Sequence, residues 1–344
     1  MTRRILVSGG AGFIGSAHVL RLLGPDGPPG VSVTVLDALT YAAGPVHLDP
    51  VRDHRLFRFV HGSVTDAALV DRIVPGHDEI VHFAAESHVD RSIENGSLFV
   101  RTNVLGTQTL LDAAVRHGVR TFVQISTDEV YGSIAEGAAA EDAPLRPSSP
   151  YSASKAAADL MALAYHATHG LDVRITRCSN NFGPRQHPEK LIPRFVTALL
   201  SGQDVPLYGD GSQVRDWLHV EDHVTAVELV RNGGRPGRIY NIGGGTSLTN
   251  LDLTHRLLRL CGARPDRIVR VTDRKGHDQR YAVDDTRIRR ELGYEPRADF
   301  ATALADTVRW YADRHPRTSD DRPADGDARP ADGDVRPADG TVRR

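Results

Sequence analysis

RILVSGGAGFIG, residues 4–15, is the stretch whose reading decides the fold. Residues 4–8 carry Ile5, Leu6 and Val7 in one short run and read as a buried strand. A glycine-rich turn follows, and an apolar periodicity from about Phe13 to Leu23 reads as a helix. A glycine turn between strand and helix is where a dinucleotide pyrophosphate meets a helix N-terminus. Gly9 permits the tight turn, Gly12 lets the backbone approach phosphate, and Gly15 lets the helix pack against the sheet. Glycine turns also occur for purely structural reasons, so context has to carry the reading.

The context lies just downstream. Residues 31–36 (VSVTVL) form a second β-rich run, and Asp37 closes it, 22 residues after Gly15. A carboxylate there accepts hydrogen bonds from adenosine ribose hydroxyls and repels a 2′-phosphate, which points to NAD and not NADP. The alternative is that Asp37 only caps a loop. Further β-rich runs lie at 56–60, 79–83, 120–126 and 172–177, with helical patterns at 66–74, 97–117 and 151–168. Short apolar strands alternating with amphipathic helices predict an α/β fold, a Rossmann-type doubly wound parallel sheet. Residues 1–179 are expected to be mainly the NAD-binding domain. Residues 180–316, richer in loops, prolines and glycines, are expected to form a smaller lobe with segments returning to the sheet. From Arg322 the unit RPADGDA, RPADGDV, RPADGTV repeats, and residues 317–344 are expected to be a disordered tail, since this composition buries almost nothing.

Composition narrows the function classes. The 344 residues carry 42 Lys and Arg against 44 Asp and Glu, a net charge of −2, with no long basic run. Neither nucleic acid nor an anionic membrane is favoured as a partner, although a local basic pocket for phosphate remains open. Cys178 and Cys261 allow at most one disulfide, and the low count points to a reducing compartment. The N-terminus enters a strand at once, without a signal-peptide pattern, and no run of about 20 apolar residues exists. A cytoplasmic enzyme is the expectation.

Two motifs carry chemistry. Tyr151 and Lys155 form Tyr-x-x-x-Lys on a helix that follows Pro150, so they share one face. An ammonium nearby favours the tyrosinate, and such a phenol suits a base that takes a hydroxyl proton while hydride leaves the adjacent carbon. Ser126-Thr127-Asp128-Glu129 stands at the carboxyl end of a strand, the edge where such sheets bind ligands. The two adjacent carboxyl groups read either as a solvated turn or as an acid and a base with separated roles. His219 and His223 have the i, i+4 spacing of a metal pair, but the expectation is that they cap or pack and that no metal is bound.

AAESHVDRSI (84–93), STDEVYG (126–132), YSASK (151–155), NNFGP (180–184), GDGSQVRDWLHVEDH (209–223) and RKGHDQRYAVD (274–284) together resemble the dTDP-glucose 4,6-dehydratases, extended short-chain dehydrogenases whose glycine turn has this GxxGxxG form. The likeness runs from about residue 3 to 312. It implies oxidation of the sugar at carbon 4, with Tyr151 as base, Lys155 on the nicotinamide ribose and Thr127 on the 4-hydroxyl. It further implies Glu129 as the base at carbon 5, Asp128 as proton donor to the water leaving carbon 6, and return of hydride to carbon 6. The product would be dTDP-4-keto-6-deoxyglucose, a deoxysugar precursor, with NAD regenerated. Against the cofactor the resemblance sets Phe13, Ile14, Leu39, Thr40, Ser63, Val64, Phe83, Ala84, Ala85, Thr102 and Asn181, beside the glycines and Asp37. Against the nucleotide sugar it sets Ser87, Asn180, Asn181, Lys190, Leu191, Pro206, Tyr208, Arg215, Asn250, Arg274, His277 and Tyr281. It also implies a homodimer through the helices at 97–117 and 151–168.

Three positions depart from the family pattern: Ser63 for a usual aspartate toward the adenine, Phe182 for a tyrosine, and Lys275 for a proline. None touches the two catalytic motifs. A 4-epimerase or decarboxylase of the same fold is the nearest rival, and the Asp128-Glu129 pair argues against both. A catalytically silent NAD-binding regulator would tend to have lost Tyr151, Lys155 or the acid pair, and all are present.

Overall fold

The β-rich runs lie side by side because each is apolar on both faces and can be satisfied only in a sheet covered above and below. The computed structural model describes residues 2–314, so the repeat tail lies outside the described residues. Its strands are β1 (Arg3–Ser8), β2 (Val31–Asp37), β3 (Phe57–His61), β4 (Glu79–His82), β5 (Thr121–Thr127), β6 (Asp172–Cys178), β7 (Asn180–Phe182), β8 (Val205–Tyr208), β9 (Val214–His219), β10 (Arg238–Ile242), β11 (Ser247–Thr249) and β12 (Ile268–Val271). Its α-helices are α1 (Phe13–Leu23), α2 (Ala67–Ile73), α3 (Val89–Glu94), α4 (Gly96–Phe99), α5 (Gly106–Arg116), α6 (Pro150–His169), α7 (Leu191–Leu200), α8 (Val220–Gly233), α9 (Asn250–Leu260), α10 (Thr286–Leu292) and α11 (Phe300–Arg314).

Seven strands pair in the order β10-β6-β5-β4-β1-β2-β3, every neighbour parallel. Alternation along the strands feeds two cores. Leu6, Leu36, Ile80, Phe122 and Val173 pack with α2, α5 and α6 on one side, through residues such as Val70, Leu110 and Ala162. Ile5, Val7, Val35, Val81 and Val123 pack with Val19 and Leu22 of α1 and Val227 of α8 on the other. The order reverses beside β1, and the crevice at the carboxyl ends there is the ligand position of such sheets. Two small sheets, β11-β9-β7 and β12-β8, stand after β6 in the chain. A separate core of Phe182, Phe195, Trp217, Leu257, Phe300 and Leu304 joins them to α7, α9 and α11. Meanwhile β10 returns to the edge of the main sheet beside β6.

The single helix expected over 97–117 is interrupted. Between α4 and α5 the chain runs as a π-helical turn over Val100–Leu105. Asn103, 1% exposed, sits in that turn. Its carboxamide accepts from the Glu86 amide (2.8 Å) and donates to the Glu86 carbonyl (3.0 Å) and to Ser154 Oγ (2.8 Å). Apolar periodicity does not register one surplus residue paid into a widened turn. Among the described residues no helix is long and apolar enough to cross a membrane.

The first glycine turn is set by backbone crowding. Gly9 has φ +70, and a Cβ there would meet the Ala84 nitrogen at 2.5 Å. A Cβ on Gly15 would meet the Gly9 carbonyl oxygen at 2.2 Å, so Gly15 answers to the turn itself and not, as expected, to the sheet. Gly15→Ala is therefore expected to lower stability by about 1–3 kcal/mol, the cost of overpacking against atoms that cannot yield. The urea unfolding midpoint checks it, and an unchanged midpoint would show that the turn relaxes freely.

Candidate functional site

A cavity of about 520 Å³ opens at the carboxyl ends of β1, β2, β4 and β5. Gly9, Gly12, Phe13, Ile14, Gly15, Asp37, Thr40, Ser63, Val64, Phe83, Ala84, Ala85, Thr102, Tyr151, Lys155 and Asn181 line it. Of the residues expected against the cofactor only Leu39 does not; it holds φ +50 and gives its amide to Asp37. Asp37 accepts from that amide (2.8 Å) and from the Ala11 amide (2.9 Å), so it caps the glycine turn while lining the cavity. Burial raises its pKa, and the two amides oppose the rise. The carboxylate caps the turn, and each of its oxygens keeps acceptor capacity. Ser63 accepts from the Thr65 amide (3.1 Å) and shares a hydroxyl bond with Thr65 (2.8 Å).

Tyr151 and Lys155 stand on the first turns of α6, which begins with Pro150 and a capping box between Ser149 and Ser152. Both are buried, and Phe99 packs edge-on to the Tyr151 ring at 6.3 Å. Lys155 Nζ donates to the Ile125 carbonyl at 2.6 Å. Burial pushes the Tyr151 pKa well up, the charges of Glu129, Cys178 and Asp128 add to the rise, and a hydrogen bond with Thr127 works against it. The Lys155 ammonium gives one of its three donors to the Ile125 carbonyl and keeps its charge.

Thr127 ends β5 and caps a one-turn 3₁₀ helix, Asp128–Tyr131. Its hydroxyl accepts from the Glu129 amide (3.3 Å) and donates to Asp128 Oδ1 (3.1 Å). Asp128 is 3% exposed, and its Oδ2 has no hydrogen-bond partner among the described residues. Burial, then the neighbouring Glu129 charge, lifts its pKa well above the carboxylate range. Glu129 is also raised by burial, but Lys190, Arg274 and Arg215 pull it back. The pair is therefore not a solvated turn. Burial dominates at Asp128, and its neighbour Glu129 is turned toward three cations.

Ser87, Asn180 and Lys190 share the cavity wall, and Lys190 Nζ donates to the Ser87 carbonyl at 2.6 Å. Leu191, Pro206, Tyr208, Arg215, Asn250, Arg274, His277 and Tyr281 are not in that wall. Several form an adjoining polar group. Arg215 lies over the Tyr281 ring at 4.2 Å, and the Tyr281 hydroxyl donates to Asp278 (2.9 Å) and stands 3.4 Å from Glu129 Oε2. Tyr208 donates to Asp90 (3.2 Å), Arg274 pairs with Asp90 at 3.8 Å, and His277 bonds Asp273 at 2.6 Å. Asn250 is buried with its Oδ1 unpartnered.

The sequence reading passed over Glu86, His187 and Glu189 in the cavity wall, and Arg91, which bonds Glu189 at 3.1 Å and lies 3.7 Å over the Tyr41 ring. The charged steps of AES and PEK were the available signal. His223 bonds Asn181 Oδ1 at 2.9 Å, and burial drops its pKa to about 3, while His219 packs on Phe182 with rings 5.3 Å apart. Among the described residues no three His, Cys, Asp or Glu side chains converge as a metal site. No disulfide joins Cys178 and Cys261, and burial pushes the Cys178 thiol up to about 12.

Over residues 6–307 the chain matches the family described as GDP-mannose 4,6 dehydratase. It is 63% identical over 311 residues to the dTDP-glucose 4,6-dehydratase of Streptomyces griseus, covering 90% of this chain and 94% of that one. The crystal structure of the dTDP-glucose 4,6-dehydratase DesIV from Streptomyces venezuelae, solved with NAD bound, matches with a TM-score of 0.88 at 58% identity, over 90% of this chain and 97% of that one. The UDP-glucose 4-epimerase of Thermotoga maritima matches with a TM-score of 0.83 at 30% identity, over 90% and 99%.

The raised Asp128 pKa has a sign for stability. Ionising Asp128 costs more in the folded chain than in the unfolded one, so its contribution falls as pH rises through the unfolded value. Asp128→Asn removes that loss. The variant is expected to be stabilised relative to the native chain at about pH 8 and much less at about pH 4, with each unit of pKa separation worth about 1.4 kcal/mol. Paired thermal melts at the two pH values check it.

Proposed function

This chain belongs to the GDP-mannose 4,6 dehydratase family and falls among its dTDP-glucose 4,6-dehydratases; we propose that Thr127, Asp128, Glu129, Tyr151 and Lys155 carry the reaction. It is an NAD-dependent hydro-lyase acting on dTDP-glucose. The observation that carries the assignment of roles is the unequal surroundings of Asp128 and Glu129, one dry and one facing cations, beside a Tyr-Lys pair on α6.

The residues fit NAD. The Gly9 turn leaves no room for a side chain against Ala84, and Asp37 holds that turn with acceptor capacity to spare. NAD, when bound, takes hydride from carbon 4 of the sugar and returns it to carbon 6. The chain supplies the proton steps. Thr127 hydrogen-bonds the 4-hydroxyl, whose proton Tyr151 takes. Lys155, held at the Ile125 carbonyl, keeps a positive charge near that phenol. The carbon-4 ketone acidifies carbon 5, and Glu129 removes that proton. Asp128, whose pKa burial raises, gives its proton to the departing 6-hydroxyl, so that water and not hydroxide leaves. Lys190, Arg215 and Arg274 provide the cationic donors a diphosphate needs.

We also propose a cytoplasmic homodimer. Val100 (56% exposed) and Leu105 (47%) stand on the stretch from α4 to α5, and Leu160 (57%) stands on α6. Helices α5 and α6 pack together, and apolar residues gathered on such a face mark an interaction surface. A second copy of the chain is the occupant that the family likeness favours. Leu160→Arg is expected to yield a monomer in light scattering; a dimer of native strength would move the interface elsewhere.

The division of labour is tested by isosteric changes. Glu129→Gln keeps size but cannot accept the carbon-5 proton. It is expected to reduce bound NAD on adding dTDP-glucose, seen as NADH absorbance, while product release falls about 100- to 10,000-fold. Solvent deuterium should not enter carbon 5. Tyr151→Phe should block the NADH signal itself. Equal loss of that signal in both variants, with substrate still bound, would overturn the assignment.

A further inference from the structure

The most buried charges beside the Tyr-Lys pair have no part in the proton steps above. Asp159 is 0% exposed and lies one helical turn beyond Lys155 on α6. Its Oδ2 accepts from Ser126 Oγ (2.9 Å) and from Arg177 Nε (2.9 Å). Ser126 and Arg177 are direct cross-strand partners on β5 and β6. Lys155 bonds the carbonyl of Ile125, the residue before Ser126. The Lys155 ammonium and the Asp159 carboxylate are thus anchored to consecutive residues of one strand. Arg177, its side chain 2% exposed, continues the connection. Its Nη1 donates to the Tyr131 hydroxyl (2.9 Å), and that hydroxyl donates to Asn241 Oδ1 (2.8 Å). Tyr131 closes the turn that carries Asp128 and Glu129.

We propose that Asp159 is a positioning residue of the dehydratase, the buried counter-charge that keeps Lys155 an ammonium and, through Arg177 and Tyr131, fixes the turn bearing Asp128 and Glu129. The proposal rests on the roles given above to Lys155 and Tyr151. A buried ion pair is weak evidence of stabilisation, because desolvation offsets its attraction. The local charge count is a better account. Two cations, Lys155 and Arg177, share this dry region, and Asp159, raised by burial and pulled back by both of them, is the acid set between their anchors. Burial alone drives Lys155 toward the neutral amine, and Asp159 is the charge that most opposes it. The other groups around Lys155 do less or the opposite. Cys178 on β6 favours the ammonium only as a thiolate, and burial keeps it a thiol. His82 on β4 is kept neutral by burial.

The test is the pH profile of NAD reduction in a single turnover of the NAD-loaded enzyme with dTDP-glucose. The rate rises as Tyr151 loses its proton and falls as Lys155 loses its own. Asp159→Asn keeps the shape and removes the charge. Its alkaline limb is expected to move down by about one pH unit or more, a loss of about tenfold at the alkaline end. Arg177→Gln removes a cation instead, and its alkaline limb is expected to stay or move up. Damage to packing alone would displace both limbs the same way, and that result overturns the proposal, as does an unchanged Asp159→Asn profile. Should Asp159→Asn fail to fold, Arg177→Gln is compared with the double variant Asp159→Asn/Arg177→Gln. The double variant's limb is expected to lie lower, and coincident limbs overturn the proposal. A native enzyme that never reduces NAD on dTDP-glucose would instead sink the functional reading itself.

Discussion

One hydrogen bond, from the Lys155 ammonium to the Ile125 carbonyl, ties the catalytic helix to the last residues of the central strand β5. Everything in the site is registered against it. The capping box at Ser149 starts α6 at a defined residue, so Tyr151 and Lys155 arrive on one face. Thr127 ends β5 two residues beyond Ile125, so Asp128 and Glu129 enter the cavity from the strand side. The oxidising pair and the eliminating pair come from different elements but share one anchor. A parallel sheet buried on both faces leaves its chemistry to the carboxyl edge, and this bond decides which residues meet there.

The electrostatics of the site follow from burial more than from pairing. Tyr151, Asp128, Glu129 and Asp37 are all pushed toward their neutral forms by desolvation. What separates them is the local compensation each receives. Asp37 has two backbone amides, Glu129 has three cations, and Asp128 has one hydroxyl and the charge of Arg215. Two adjacent carboxyl groups that differ by one methylene thereby stand in different electrostatic surroundings.

How much of this was legible in the sequence depends on the range of the interaction. The glycine turn, Asp37 and Tyr-x-x-x-Lys are local patterns, and strand-turn-helix context is enough to read them. The residues brought to the cavity by matching motifs, such as Ser87 and Lys190, were legible only through resemblance. Interactions between distant segments were not legible. Nothing in PYSASK tells that Lys155 donates to the carbonyl of residue 125. The strands β7 and β11, of three residues each, are too short for a periodic signal, and the 97–117 pattern hides a π turn. Arg91 over Tyr41 joins residues 50 apart and needs the fold before it can be seen.

That π turn gives one helical stretch two phases. Before and within it, Leu98, Arg101 and Thr102 line the cavity; downstream, Leu110, Leu111 and Ala114 face the sheet. An α-helix turns about 100° per residue, so one residue lost between 100 and 105 would close the widened turn and swing the upstream side chains about a quarter of the way round. Thr102 would leave the cavity wall and Asn103 its three hydrogen bonds. A change of count in this segment therefore disturbs the cavity and the core together.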